Sequence, residues 1–187
     1  SQVISSMNAG RGMINYCGHG SYNSFGTTGF SNNSANNLSN FGKLPIVLSV
    51  ACNTGEFDYG TCLGEAMLRA SSGGQPTGAI AMYASSILQS WDPPMAAQDE
   101  TIDRFVAEDY TTIGALTYAG SAQMIDEYGS GGVEMFDTWH LFGDPSLRVV
   151  GPVEPAGGMS VTPGEGFEAE GALGGPFHPS QQDFTVT

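Results

Sequence analysis

Two apolar runs of strand length, each ending in a reactive side chain, constrain this chain more than any other feature. Met13-Ile14-Asn15-Tyr16-Cys17 leads into Gly18-His19-Gly20, and Ile46-Val47-Leu48-Ser49-Val50-Ala51 leads into Cys52. Short apolar runs bounded by turn residues read as buried strands. His19 and Cys52 lie 33 positions apart, and a strand, crossover and parallel strand take ~30 residues or more. The two runs are therefore expected to be neighbouring parallel strands, both buried, ~4.8 Å apart. That arrangement puts an imidazole and a thiol together at the carboxyl edge, where open α/β sheets bind ligands.

The rest of the chain fits such a sheet. Residues 1–9 read as the end of a helix with Gly10 as its C-cap. The Asn-rich stretch 21–40 reads as loop, with a short helix at 36–41. Thr61 is the expected N-cap of a helix carrying Leu63, Ala66, Met67 and Ala70, with Glu65 suited to its first turn. Residues 71–77 are a turn cluster, and 78–84 a third buried strand. Asp92-Pro93-Pro94 reads as N-cap plus first-turn prolines, opening a helix with Met95, Asp99, Ile102, Phe105 and Val106 on one face. A further helix starts at Thr111, with Ile113, Leu116, Gly120, Met124 and Tyr128 inward and Gly129 as its stop. Residues 133–142 suggest a short helix and 147–150 a last strand. The order β-α-β-α-β implies a mostly parallel sheet flanked by helices. The expected organisation is a catalytic region over 1–150, a Pro/Gly linker at 151–158, and the beginning of a β-sandwich module at 159–187, with strands at 159–162 and 184–187.

Charge excludes one class of partner. The formal net charge is -14, from 19 acids against 5 bases, whereas a phosphate-binding face needs clustered Lys and Arg. No nucleic acid is expected. Nor is a membrane span, because no apolar run approaches ~20 residues. The acidic balance suits a soluble, extracellular protein. Ser1 opens a polar stretch without a signal peptide, so a processed product or fragment is expected. Three cysteines leave at least one unpaired in a monomer. Cys52 is expected to be free; spacing does not decide whether Cys17 and Cys62 pair.

Four blocks together carry a resemblance. They are Asn15-Tyr16-Cys17-Gly18-His19-Gly20-Ser21, Val50-Ala51-Cys52-Asn53-Thr54-Gly55, Gln89-Ser90-Trp91-Asp92-Pro93-Pro94-Met95 with Gln98-Asp99-Glu100, and Asp137-Thr138-Trp139 with Phe142-Gly143-Asp144-Pro145-Ser146-Leu147. In order and spacing, across residues 7–150, the chain resembles the gingipain family of cysteine peptidases. The resemblance implies a caspase-like α/β fold, secretion from a bacterium, and a following immunoglobulin-like module. It implies that His19 is the catalytic histidine and Cys52 the nucleophile, with the N–H groups of Gly20 and Cys52 as oxyanion donors. Gln89, Ser90, Trp91 and Met95 would line the pocket for the residue before the cleaved bond, with Trp91 as its wall. The expected reaction is hydrolysis of protein or peptide substrates through a thioester, after basic residues, with no cofactor required. The family's upstream half is missing from this sequence. With it go the acid that orients the histidine and the acid that recognises Arg, so that half is an expected partner.

Other readings compete residue by residue. Cys17 is expected to be buried filler, and Cys62 structural. Zinc held by Cys17, His19, Cys52 and Cys62 matches no common ligand spacing. Asp99, Glu100 and Asp103 could hold calcium as a structural ion, but a solvated acidic face is the better reading. Asp144 is expected to fix a turn, and His140 and His178 have no evident partner. Two rival functions remain: a non-catalytic caspase-fold module of a secreted or surface protein, and a ligase or transpeptidase on the same scaffold.

Overall fold

The computed structural model describes residues 2–149. Helix α1 (Gln2–Ala9) ends at Gly10, whose φ of 95° and N–H bond to the Met7 carbonyl make the expected C-cap. Strand β1 (Met13–Cys17) follows. The stretch expected to be loop instead forms a small antiparallel sheet of β2 (Gly20–Ser21), β3 (Ser24–Phe25) and β4 (Phe30–Ser31). Phe25 and Phe30, 3% and 1% exposed, pin it to the core, and Tyr16 stacks on Phe25 at 4.0 Å. The short helix, α2 (Asn32–Asn36), starts directly after β4 rather than at Asn36.

Strand β5 (Ile46–Val50) is buried throughout, as its apolar run requires. Val47, Leu48 and Val50 are at most 2% exposed, and each such side chain contributes about 1.5–3 kcal/mol by leaving water. Helix α3 (Leu63–Arg69) is capped by Cys62, not Thr61: the Glu65 carboxylate accepts the Cys62 N–H at 2.9 Å. Thr61 stays exposed and bonds Arg69. The turn cluster is a hairpin of β6 (Ser71–Ser72) and β7 (Gln75–Pro76) around Gly73 and Gly74, both at positive φ. Strand β8 (Ala81–Ser85) is buried and begins later than expected, because Gly78 turns at φ 87°.

Helix α4 (Asp92–Ala107) starts one residue earlier than expected: Trp91 occupies the cap position, and Asp92 is the first helical residue. Its inward stripe also differs. Pro93, Pro94, Ala97, Gln98 and Thr101 are buried, while Val106 is 73% exposed. Close approach of the next helix, α5 (Ile113–Tyr128), selects small residues there: Gly120 sits against Thr101 and the Ala97 carbonyl. Thr112, not Thr111, caps α5 by accepting the Ala115 N–H at 3.3 Å. Ile113, Leu116, Gly120 and Met124 are buried as expected, whereas Tyr128 is exposed. Gly129 ends the helix.

The segment expected to be one helix over 133–142 divides in two. Helix α6 (Ser130–Thr138) gives way to β9 (Trp139–Phe142), which pairs antiparallel with β8. Among the described residues the expected strand at 147 is reduced to one bridge, Thr112 with Arg148, flanked by backbone bonds from Ile113 to Leu147 and from Val149 to Thr111.

The main sheet has the order β1-β5-β8-β9. Met13 to Cys17 run parallel and in register with Ile46 to Val50, and Ile46 to Ser49 with Ala81 to Ala84. Alternation divides the core. Val47, Ala51, Met82 and Ala84 pack with Met7, Leu63 and Met67 on one face, while Leu48, Val50 and Tyr83 pack with Trp139, Met95 and Ile102 on the other. Strand β1 was expected to be buried; among the described residues it lies at an edge of this sheet, with Asn15 and Cys17 exposed. The expected linker at 151–158, strands at 159–162 and 184–187, β-module and His178 lie outside the described residues.

Candidate active site

The parallel register decides where the two reactive side chains emerge. Cys17 lies opposite Val50, and the Gly18 N–H continues the ladder to the Val50 carbonyl at 3.0 Å. His19 and Cys52 therefore leave the carboxyl ends of adjacent strands, each two residues beyond the last pair. Tyr16 steadies the first turn: its hydroxyl donates to the His19 carbonyl at 2.8 Å and accepts the Thr27 N–H at 3.3 Å. The His19 ring is exposed and meets the Trp91 ring edge to face, centroids 5.5 Å apart at 79°.

Gly20 brings the two turns into contact. A methyl built on it would stand 2.6 Å from the Cys52 carbonyl oxygen and 2.8 Å from the Ala51 Cβ, so only glycine fits. The Gly20 N–H is also turned outward. Antiparallel pairs alternate between hydrogen-bonded and non-hydrogen-bonded. Gly26 donates to the His19 carbonyl at 2.7 Å, and Ser21 pairs with Ser24 across the two-residue turn. Gly20 and Phe25, between these, form the non-bonded pair. Among the described residues the Cys52 N–H likewise has no hydrogen-bond acceptor.

Cys52 is half-buried, and its thiol donates to the Gln89 carbonyl at 3.9 Å. The segment 85–91 closes over the nucleophile turn: the Ser85 carbonyl accepts the Gly55 N–H at 2.8 Å, and the Ile87 carbonyl the Asn53 N–H at 2.9 Å. Asn53 takes a left-handed φ of 59°, which asparagine tolerates better than most residues. Its amide donates to Glu56 at 2.8 Å. Trp91 is 45% exposed rather than core, Ser90 is exposed, and Gln89 and Met95 are half-buried. The buried Gln89 Oε1 has no partner among the described residues.

The structure keeps the other candidates apart from this pair. All three cysteines are free. Cys17 is exposed, not buried filler, because β1 is an edge; partial burial and nearby Asp99 push its thiol up. Cys62 is fully buried at the start of α3, and burial pushes its thiol up as well. Among the described residues no group of His, Cys, Asp and Glu is placed to hold a metal ion. Zinc on Cys17, His19, Cys52 and Cys62 therefore does not fit. Asp99, Glu100 and Asp103 line an open cleft of about 350 Å³ with Asp92 and Glu127, and Glu100 pairs with Arg104 at 2.6 Å. Among the described residues these carboxylates form no group of three placed to hold a metal ion. His140 has a partner after all, the Ser86 hydroxyl at 3.1 Å. Asp144 does fix a turn, accepting the Ser146 N–H and hydroxyl at 2.8 and 2.7 Å.

Sequence reasoning missed several supports. Tyr16 braces the histidine turn, Gln98 donates to Asn15 and to the Tyr16 carbonyl, and the Asn53–Glu56 pair braces the nucleophile turn. All of these belong to the quoted blocks or border them, and that proximity was the available signal.

Comparison with known proteins decides the family. A sequence model of peptidase family C25 matches residues 1–150. The chain belongs to peptidase family C25. It is 40% identical over 153 residues to gingipain R2 of Porphyromonas gingivalis, covering 79% of this chain and 21% of that protein. Gingipain R1 of the same organism matches at 40% over 153 residues, covering 79% and 15%. Among solved structures, the Arg-specific cysteine proteinase gingipain R superposes with a TM-score of 0.75 at 39% identity, covering 79% of this chain and 35% of that one. A complex of gingipain pro- and mature domains from P. gingivalis gives 0.75 at 40%, covering 78% and 36%. The caspase-like α/β fold follows from these matches. The chain spans about a fifth or less of the length of these curated relatives. Among the described residues no helix is long and apolar enough to cross a membrane.

Proposed function

We propose that this C25 chain is the nucleophile-bearing part of a secreted cysteine endopeptidase that cleaves after basic residues. The observation that carries the reading is the contact of two turns. Gly20 lies against the Cys52 carbonyl, so His19 and Cys52 share one sheet edge. The Cys52 proton passes to His19, and the thiolate attacks the substrate carbonyl carbon. The carbonyl π pair moves onto oxygen, and the N–H groups of Gly20 and Cys52 receive that charge. His19 then protonates the leaving amine as the C–N bond breaks. Water, deprotonated by His19, opens the thioester and restores the thiol. None of these steps requires a cofactor.

In the resting geometry the thiol donates to Gln89 and the imidazole contacts Trp91. Catalytic hydrogen bonds commonly tighten only once substrate is bound. Trp91, Gln89, Ser90 and Met95 form the wall that accepts the side chain before the cleaved bond. The preference for a basic residue is taken from the solved relative whose name records it as Arg specific. In this reading residues 1–150 are the catalytic region, 151–158 a linker and 159–187 the start of a β-module. A further part of the same protein supplies the acid that orients His19.

The test is hydrolysis of peptidyl aminomethylcoumarins ending in Arg, Lys or Leu by the full-length protein and its Cys52→Ala variant. Release after Arg or Lys that Cys52→Ala abolishes is the expected result. No release from any of them overturns the peptidase reading, and release after Leu alone overturns the basic preference.

A further inference from the structure

The two N–H groups assigned to the oxyanion come from different turns, and something must keep them aimed at one point. We infer that Thr54 is the positioning residue that does so. This inference rests on the peptidase reading above. Thr54 is fully buried two residues beyond Cys52. Its hydroxyl shares a 2.8 Å hydrogen bond with the equally buried Ser49 hydroxyl on β5 and lies 3.5 Å from the Ala51 carbonyl. Its methyl faces the other way, 3.0 Å from the point a Cβ on Gly20 would occupy. The Thr54 carbonyl accepts the Gly64 N–H at 3.0 Å, tying the same residue to α3.

One side chain thus anchors the Cys52 turn to the strand and wedges the Gly20 turn from below. The Ser49–Thr54 bond is out of water, where an unpaired hydroxyl is costly, so both hydroxyls stay engaged. Displacing Thr54 would move Gly20 relative to Cys52 without touching the sulfur or the imidazole. Hydrolysis needs both N–H groups on the developing oxyanion, and a misplacement of ~1 Å costs on the order of 100-fold. Alkylation by iodoacetamide needs neither: sulfur bonds the methylene carbon, iodide leaves, and no oxyanion forms. The two reactions separate positioning from general damage.

The experiment compares wild type, Thr54→Val, Thr54→Ser and Ser49→Ala in the full-length protein. Each variant is assayed for arginyl-coumarin hydrolysis, for iodoacetamide alkylation of Cys52 read by mass spectrometry, and for Tm. Thr54→Val keeps the shape and loses the hydroxyl. Its kcat should fall about 10- to 100-fold, with Cys52 alkylation changed by less than about twofold. Thr54→Ser keeps the hydroxyl anchor but loses the methyl that faces Gly20, and its kcat should lie between wild type and Thr54→Val. Ser49→Ala removes the same hydrogen bond from the strand side and stands in if Thr54→Val does not fold. Unchanged hydrolysis in Thr54→Val and Ser49→Ala would overturn the inference. So would hydrolysis and alkylation falling in parallel. A wild type that neither hydrolyses the substrate nor depends on Cys52 would instead defeat the peptidase reading.

Discussion

Replacing Gly20 by alanine tests the geometry of the site most severely for the smallest chemical change. The new methyl would meet the Cys52 carbonyl oxygen at 2.6 Å, the Ala51 Cβ at 2.8 Å and the Thr54 Cγ2 at 3.0 Å. Two of these belong to the backbone and Cβ of the nucleophile turn, which cannot rotate away. Ordinary contact begins near 3.4 Å, so the turns must separate by about 0.8 Å in a close-packed region. That is close to the displacement that costs two powers of ten in an oriented reaction. Overpacking adds a stability loss of about 1–3 kcal/mol, at about 2–4 °C per kcal/mol for a chain of this size. The expected result is a kcat for peptidyl-coumarin hydrolysis lowered about 100-fold, a KM nearly unchanged, and a Tm lowered by several degrees. The assay pairs steady-state kinetics with a thermal melt at the same protein concentration. Full hydrolytic activity in Gly20→Ala would refute the claim that the two turns touch.

Two further outcomes follow from the surroundings of the site. In native protein at pH 8 a thiol-disulfide reagent should modify Cys52 and Cys17 but not the fully buried Cys62, which should react only in denaturant. Cys17 should react more slowly at that pH than a free thiol, because burial and Asp99 push its thiol up; modification of Cys62 at the native rate would contradict its placement. His140 is held below its ordinary 6.5 by burial. The unfolded chain therefore binds its proton first, and stability is lost as pH falls through 6.5 toward the lowered value. Melts of wild type and His140→Gln between pH 7.5 and 5 should show a flatter profile in the variant, and parallel profiles would remove His140 as a cause of acid sensitivity.

How much of this was legible depended on whether the cause was local. Strand β5 was readable because a central parallel strand needs apolar side chains on both faces, and Ile46 to Val50 supplies them. That His19 and Cys52 follow neighbouring parallel strands was readable from run lengths and spacing, and the register pairs those two strands. Strand β1 was misjudged because its sequence says nothing about who flanks it. Strand β9 was hidden for a similar reason. Trp139 to Phe142 continue a helical pattern, and only pairing with β8, more than fifty residues earlier in the chain, draws them into the sheet. The inward face of α4 misled because Gln98 and Thr101 are polar. Their hydrogen bonds to Asn15, the Tyr16 carbonyl and the Ala97 carbonyl satisfy them in the interior. The Ser49–Thr54 anchor could not be read, since it joins a strand to a turn that folds back upon it.

The most direct test is to label the full-length protein with an arginyl acyloxymethyl ketone and map the adduct by mass spectrometry. In that reaction sulfur displaces the carboxylate, so a single stable thioether marks the nucleophile. The adduct should fall on Cys52 alone, vanish in Cys52→Ala, and form at least tenfold more slowly in His19→Ala at neutral pH, as loss of an imidazole partner to a thiol dictates. An adduct on Cys17, or on Cys52 at the same rate without His19, would contradict the pairing on which the whole account stands.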